Sequence, residues 1–389
     1  MDQREVQAAA RAILSGWVTQ GPEVEAFEHE FAGYVGAKYA CAVSSCTTAL
    51  HLALLAGGVK PNDEVITVSY SFVATANSIR YCGAVPVFVD IQPETFNIDP
   101  LVIERAITPR TRAILCVHQM GMPCDLTAIV KIARRHSLTV IEDAACAIGS
   151  EVDWNGRWEK IGKPHGDIAC FSFHPRKIIT TGDGGMITTS HPEWDRQFRL
   201  WRQHGMSVSD RKRHTANQVI LESYLMLGYN YRLTDIQASV GREQLKRLPK
   251  IVQRRRILAA RYKKLLSTIP GLGLPEEPTW ARGNWQSFCV RLPERCPRQK
   301  VMRALLDENI ACRHGILCAH RLPVYEQEPW SCGAAPKTCD CPPQTCSRLA
   351  KSDALESSAV ILPLYPQMSE TDQDRIVVAL SKACAVCTI

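Results

Sequence analysis

Residues 111–145 read TRAILCVHQMGMPCDLTAIVKIARRHSLTVIEDAA. TRAILCVH (111–118) and LTVIEDAA (138–145) are short apolar runs, and between them DLTAIVKIARRH (125–136) spaces its apolar residues as a helix does. Two strands that are hydrophobic throughout, separated by a helix, imply parallel neighbours covered on both faces. The same alternation extends outward. ACAVSS (40–45) precedes TALHLALLAGG (48–58), EVITVSY (64–70) precedes FVATANSIRYCG (72–83), and VPVFVDI (85–91) precedes DPLVIERAI (99–107). Downstream, IACFSF (168–173) and GMITTS (185–190) flank the loop HPRKIITTGDG, and WDRQFRLWRQHG reads as a helix. The expected fold is α/β, with a mostly parallel central sheet flanked by helices.

A short amphipathic helix is expected over 4–14, with Gly16 as its stop. The charged, helical segment at about 246–263 is read as a bridge, which divides the chain into a large domain (1–245) and a smaller C-terminal α/β domain (246–389). EPWSCGAAPKTCDCPPQTC (328–346), rich in Cys and Pro, is read as an irregular surface loop or insertion.

The 389 residues, 46% hydrophobic and 22% charged, suffice for two domains with a large buried core. A net charge of +7 suits small anionic ligands but lacks the basic stripe of a nucleic-acid binder. The start, MDQREVQAAARAIL, has no export leader, and no segment reads as a membrane span, so a cytoplasmic location is expected. Seventeen cysteines in such a setting imply free thiols, a metal site or reactive thiols before a disulfide framework.

In an open parallel sheet, ligands bind beyond the carboxyl ends of the strands. Four stretches there carry polar residues. Ser44-Ser45-Cys46-Thr47-Thr48 lies where a strand turns into a helix, and reads either as a phosphate site or as a plain N-cap. Asp143, beside Glu142, is a strand-end carboxylate that needs a partner, either a cationic ring nitrogen or an arginine. Lys177, followed by Gly182, Gly184 and Gly185, is either a solvated surface charge or a desolvated amine able to form a Schiff base with a carbonyl. GYNYRLTDIQAS (228–239) holds Asn230 and Arg232 ahead of a helix capped by Thr234. TTGDGG matches neither a Walker A loop nor the dinucleotide fingerprint.

In this order the segments resemble the DegT/DnrJ/EryC1/StrS family of sugar aminotransferases, fold-type I enzymes that use pyridoxal 5'-phosphate (PLP). The resemblance rests on GWVTQGPEVEAFEHEFAGYVGA (16–37), VSSCTTALHLALLA (43–56), SYSFVATANSI (69–79), PVFVDIQPETFNIDP (86–100), VIEDAACAIGS (140–150), GDIACFSFHPRKIITTGDGGM (166–186), LGYNYRLTDIQASVG (227–241) and ILPLYPQMSETDQDRIV (361–377). It implies that Lys177 is the lysine joined covalently to PLP and that Asp143 holds the pyridine nitrogen protonated. It also implies that Phe72 lies against the cofactor ring, and that Ser45, Cys46 and Thr47 with Ser172 cradle the phosphate. Asn230 would reach the phosphate of a neighbouring subunit, making a homodimer with shared active sites. The family often has Gln at the place of Cys146 and Gly at that of Cys46, and a thiol is shorter than an amide and a weaker hydrogen-bonding group.

The implied activity moves an amino group, with glutamate as expected donor, to a keto sugar, the nucleotide-linked kind being the one that suits the positive charge. A keto cyclitol acceptor and a non-catalytic PLP-binding regulatory role are the alternatives, and intact Lys177 and Asp143 argue against the second. His174, Arg232, His320 and Tyr325 are candidate substrate contacts, with Arg232 and Arg321 suited to a diphosphate. ACRHGILCAH (311–320) holds two Cys and two His, but without paired C-x-x-C knuckles, so no metal is expected.

Overall fold

The computed structural model describes residues 1–208, 213, 216–333 and 346–387. The strands of the first half are β1 (Tyr39–Val43), β2 (Glu64–Val68), β3 (Val85–Val89), β4 (Thr111–Val117), β5 (Thr139–Asp143), β6 (Glu151–Trp154), β7 (Arg157–Lys160), β8 (Ile168–Ser172) and β9 (Gly185–Thr189). Seven of them form one sheet in the order β1-β9-β8-β5-β4-β2-β3. The pairs β3–β2–β4–β5–β8 are parallel, and β9 runs antiparallel to both β1 and β8. Every residue of β2, β8 and β9 is buried, which is why these strands read as apolar throughout.

Phe27 and Phe31 of the helix Pro22–Val35 meet Phe173 and Phe171, at 5.3 and 5.0 Å between ring centroids. Asp235 fixes this helix from far along the chain. Its carboxylate accepts the amides of Gly21 at 2.7 Å, Val24 at 3.0 Å and Glu23 at 3.1 Å, capping a helix whose own N-cap is glycine.

The hairpin β6–β7 turns at Asn155-Gly156, both with positive φ, as a two-residue loop between strands requires. Sequence reasoning left this stretch unassigned, although Asn-Gly between alternating residues is a hairpin signal.

The bridging segment belongs to one 32-residue helix, Asp235–Leu266, capped by Thr234 as expected and crossing position 245 without a break. Leu245, Leu248 and Val252 sit in the core around the central sheet. Leu258, Ala259, Tyr262 and Leu266 join a second core with Phe288, Val290, Leu362 and Leu380. That second core covers a small antiparallel sheet of β11 (Phe288–Arg291), β13 (Ala359–Leu362) and β12 (Arg313–His314), while β10 (Ala281–Arg282) pairs with β6.

A third cluster departs from the sequence reading. Ala319, Tyr325, Cys332, Cys346 and Leu349 pack on Phe88 and Ala76, so part of the C-terminal region covers the edge of the central sheet. Ser331 pairs with β3 there, its carbonyl accepting the Phe88 amide at 2.7 Å and its amide donating to Pro86 at 3.0 Å. The flanks of the supposed surface loop 328–346 are thus edge protection for the sheet. Cys339 and Cys341 lie outside the described residues, and no disulfide joins two described cysteines. Among the described residues, no helix is long and apolar enough to cross a membrane.

Candidate active site

The sheet gathers its polar residues at one edge. The carboxyl ends of β1, β2, β5 and β8 deliver Ser44–Ser45, Ser69, Asp143 and Ser172. Because β9 is antiparallel, its first residue, Gly185, reaches the same edge opposite Val43 and Ser172. This brings the loop that carries Lys177 beside Asp143.

Asp143 is 5% exposed. Its Oδ2 accepts the Thr75 hydroxyl at 2.8 Å and its Oδ1 accepts the Ala145 amide at 3.2 Å. Burial pushes its carboxyl above the ordinary aspartate value, and the two hydrogen bonds and the Lys177 charge only partly oppose this. No arginine among the described residues is its partner. Glu142, the adjacent carboxylate, is separate: its Oε2 lies 3.1 Å from His118 Nε2 and its Oε1 accepts the Gly166 amide at 3.0 Å.

Lys177 is no solvated surface charge, since its Nζ lies 3.0 Å from Cys146 Sγ. Burial disfavours its ammonium, but Cys146 and Asp143 outweigh burial and hold the amine above the ordinary lysine pKa. The amine is thus desolvated beside a thiol and a carboxylate. Cys46 Sγ lies 4.0 Å from Asp143 Oδ1 and 3.6 Å from the Cys170 carbonyl, and burial, then Asp143, raises its pKa well above that of an ordinary thiol.

The N-cap reading of residues 44–48 does not exclude the phosphate reading. Ser45 is the N-cap of the helix Cys46–Ala56, accepting the Thr48 amide at 3.2 Å while Thr48 Oγ1 accepts the Ser45 amide at 3.1 Å. That box leaves the first helical amides, of Cys46 and Thr47, as the open donors at a positive dipole end. Gly185 makes the approach possible, because a Cβ there would stand 2.5 Å from the Ser45 carbonyl. Cys46 is not among the positive-φ residues, so cysteine fits this turn without strain.

Two positioning residues escaped sequence reasoning. Thr75 touches Asp143 as above, and Asn284 holds the Cys146 turn. Asn284 is fully buried, and its Nδ2 donates to the carbonyls of Cys146 and Ile148, both at 2.8 Å.

Other expected residues fall elsewhere in the chain. Phe72 is 70% exposed ahead of the helix Ala74–Tyr81, and Asn230 is exposed, with its backbone bridged to Gln203. The neighbouring Tyr231 carbonyl accepts the Ser44 amide at 2.8 Å, which ties this segment to the 44–48 turn. Ser172 Oγ accepts the His174 amide at 3.3 Å, and His174 Nδ1 accepts the Arg176 amide at 3.3 Å. Arg232 is half-buried and makes no ion pair among the described residues. His320 and Tyr325 require correction as substrate contacts. His320 is 1% exposed and bound to Ser69, and Tyr325 is 2% exposed with its hydroxyl on Asn77 Oδ1 at 3.0 Å, so both are packed against the sheet edge.

The model of the DegT/DnrJ/EryC1/StrS aminotransferase family matches residues 1–381. The spore coat polysaccharide biosynthesis protein SpsC of Bacillus subtilis is 38% identical over 380 residues, covering 97% of this chain and 93% of that protein. Among solved structures, the aminotransferase TlmJ of Streptoalloteichus hindustanus superimposes with a TM-score of 0.86 at 31% identity, covering 100% of this chain and 98% of the other. The 3-amino-5-hydroxybenzoic acid (AHBA) synthase superimposes with a TM-score of 0.87 at 28% identity, covering 99% and 97%.

The donor set fits PLP. It offers an amine, a buried carboxylate that accepts the Thr75 hydroxyl, and open amides at a helix N-terminus that a Cβ at position 185 would crowd. With its sheet edge so furnished and its family model matched almost end to end, the chain belongs to the DegT/DnrJ/EryC1/StrS family and is a PLP-dependent aminotransferase.

Proposed function

We propose that this aminotransferase moves an amino group from glutamate to a keto sugar, nucleotide-linked, in amino-sugar biosynthesis. The observation that carries the reading is Lys177 Nζ held beside Cys146 with Asp143 buried at the neighbouring strand end. The relationship to a protein of polysaccharide biosynthesis over 97% of the chain supports a sugar as acceptor. Likeness to AHBA synthase keeps a keto cyclitol or a related ring as the second reading.

When bound, PLP supplies an electron sink through which an amine and a carbonyl exchange nitrogen. The chain's own groups bind and orient it. The amides of Cys46 and Thr47, with the Ser172 hydroxyl, hold the phosphate against a positive helix end. Asp143 keeps a proton on the pyridine nitrogen, and Thr75 steadies the charged carboxylate. Lys177 Nζ would be the base that holds and moves a proton at the carbon bearing the exchanging nitrogen. The Cys146 thiol stands next to that amine where the family often has an amide.

The site is proposed as shared in a homodimer, with Asn230 of one subunit serving the phosphate held by the other. In support, Asn230 is exposed and follows an exposed apolar stretch.

The test loads the protein with PLP, adds glutamate until the visible absorbance of the bound cofactor bleaches, and then screens keto sugars and keto cyclitols for its return. Recovery with a nucleotide-linked keto sugar is expected. Recovery with cyclitols alone selects the second reading. Failure of glutamate to bleach the cofactor would favour a regulatory role, and Lys177→Ala should lose both the absorbance and transamination.

A further inference from the structure

The aminotransferase chemistry leaves the C-terminal Cys and His residues unused. Cys318 and His320 lie on the strap against the end of β2, and Asp353 on the helix Ala350–Ser358. One donor atom from each of the three falls within 4.8 Å of the others. Cys318 is fully buried and His320 is 1% exposed.

The ring of His320 is already oriented. Its Nδ1 lies 2.6 Å from Ser69 Oγ, and the same hydroxyl accepts the His320 amide at 3.1 Å. Nε2 is left facing Asp353 Oδ1 at 3.2 Å. The two atoms are in ion-pair contact but not aligned for a hydrogen bond, and both are buried polar atoms without a hydrogen-bond partner among the described residues. Buried polar groups are ordinarily satisfied, and a common third atom would satisfy both.

We propose that Cys318 Sγ, His320 Nε2 and the Asp353 carboxylate bind a divalent transition-metal ion, zinc by ligand preference, with solvent at the half-exposed side of Asp353 completing the set. Thiolate, imidazole and carboxylate are the donors zinc takes, in four-coordinate arrangements. Ser69 supplies the outer contact that fixes the histidine ring. The charges also close. Arg321 lies 3.8 Å from Asp353 Oδ1 and 3.6 Å from Glu356 Oε2, so this cation and a divalent ion face a thiolate and two carboxylates. The Cys318 amide donates to Glu356 at 3.1 Å, holding that carboxylate beside the strap.

Bound there, the ion braces the strap against the turn after β2. The Ala319 amide donates to the Ser69 carbonyl at 2.8 Å, and a few residues on, Thr75 meets Asp143. The ion takes no part in amino transfer.

The experiment uses the full chain loaded with PLP, stripped by chelator, given zinc and desalted, with metal measured by mass spectrometry. One zinc per chain is expected, falling at least several-fold in Cys318→Ser and in Asp353→Ala. Cobalt in the wild-type protein should give a thiolate-to-metal absorption band, which needs no variant to fold. Zinc retained equally by both variants, no retained zinc, or a cobalt spectrum without the thiolate band would each overturn the site, and none of them touches the aminotransferase reading.

Discussion

Asp143 shows what a functional residue costs in the cofactor-free protein. Its carboxyl is raised by burial, so the folded chain binds that proton more tightly than the unfolded chain, whose value is near 3.8. A raised acid contributes stability below the unfolded value, and that contribution is lost as pH rises through the folded one. Asp143→Asn should therefore melt at a higher temperature than the cofactor-free parent at pH 7, with the difference shrinking to nothing as pH falls below the ordinary aspartate range, while transamination is lost. A lower melting temperature at pH 7 in a thermal scan would contradict the burial argument. Asp143 and Lys177 stood out in the sequence as candidates because a charge at or just past an apolar strand must have a reason, and the resemblance alone chose between their readings. Thr75 was not, because its contact with Asp143 spans 68 residues, and neither was Asn284, whose contact with Cys146 spans 138.

At the level of elements, the phosphate end of the site depends on how closely β9 approaches the helix Cys46–Ala56. Gly185 has a Cβ position 2.5 Å from Ser45 backbone and 2.8 Å from the Cys46 amide. Backbone cannot yield as a side chain does, so Gly185→Ala must push the helix end away from the strand. The expected cost is about 1–3 kcal/mol of stability, by analogy with overpacked cores. It should come with weaker PLP binding, because the amides of Cys46 and Thr47 move with the helix end. Urea unfolding and PLP titration check the two effects, and unchanged PLP affinity in the folded variant would remove these amides from the phosphate site. The strands β1 to β5, β8 and β9 were legible because burial of nearly every residue leaves apolar runs. The β6–β7 hairpin is half exposed and has no such run, so only its Asn155-Gly156 turn marked it. The cap that Asp235 places on the helix Pro22–Val35 leaves no local trace at all, since donor and acceptor are 214 residues apart.

For the whole molecule, two cores lie along the helix Asp235–Leu266, and residues 319–332 and 346–349 return to the sheet edge, which the sequence reading did not anticipate. Sequence order favours packing with near neighbours, and that region instead covers an otherwise open strand. The surface poses the remaining question. Val219, Leu221 and Leu227 are 90%, 88% and 85% exposed just ahead of Asn230, a run of apolar surface that a lone chain has no reason to keep. A second copy seated there would cover it and carry Asn230 to the other subunit's helix end. In a two-fold dimer of that kind, each site combines Lys177 of one subunit with Asn230 of its partner. Co-refolding Lys177→Ala with Asn230→Ala then yields mixed dimers in which one site lacks both residues and the other is intact. Random pairing makes half of the dimers mixed, so activity should return to about a quarter of the parent's, from two preparations that are each inactive or nearly so. If Asn230 served its own chain's site, no pairing would assemble an intact site, and the mixture would stay at the level of Asn230→Ala diluted by the dead Lys177→Ala protein.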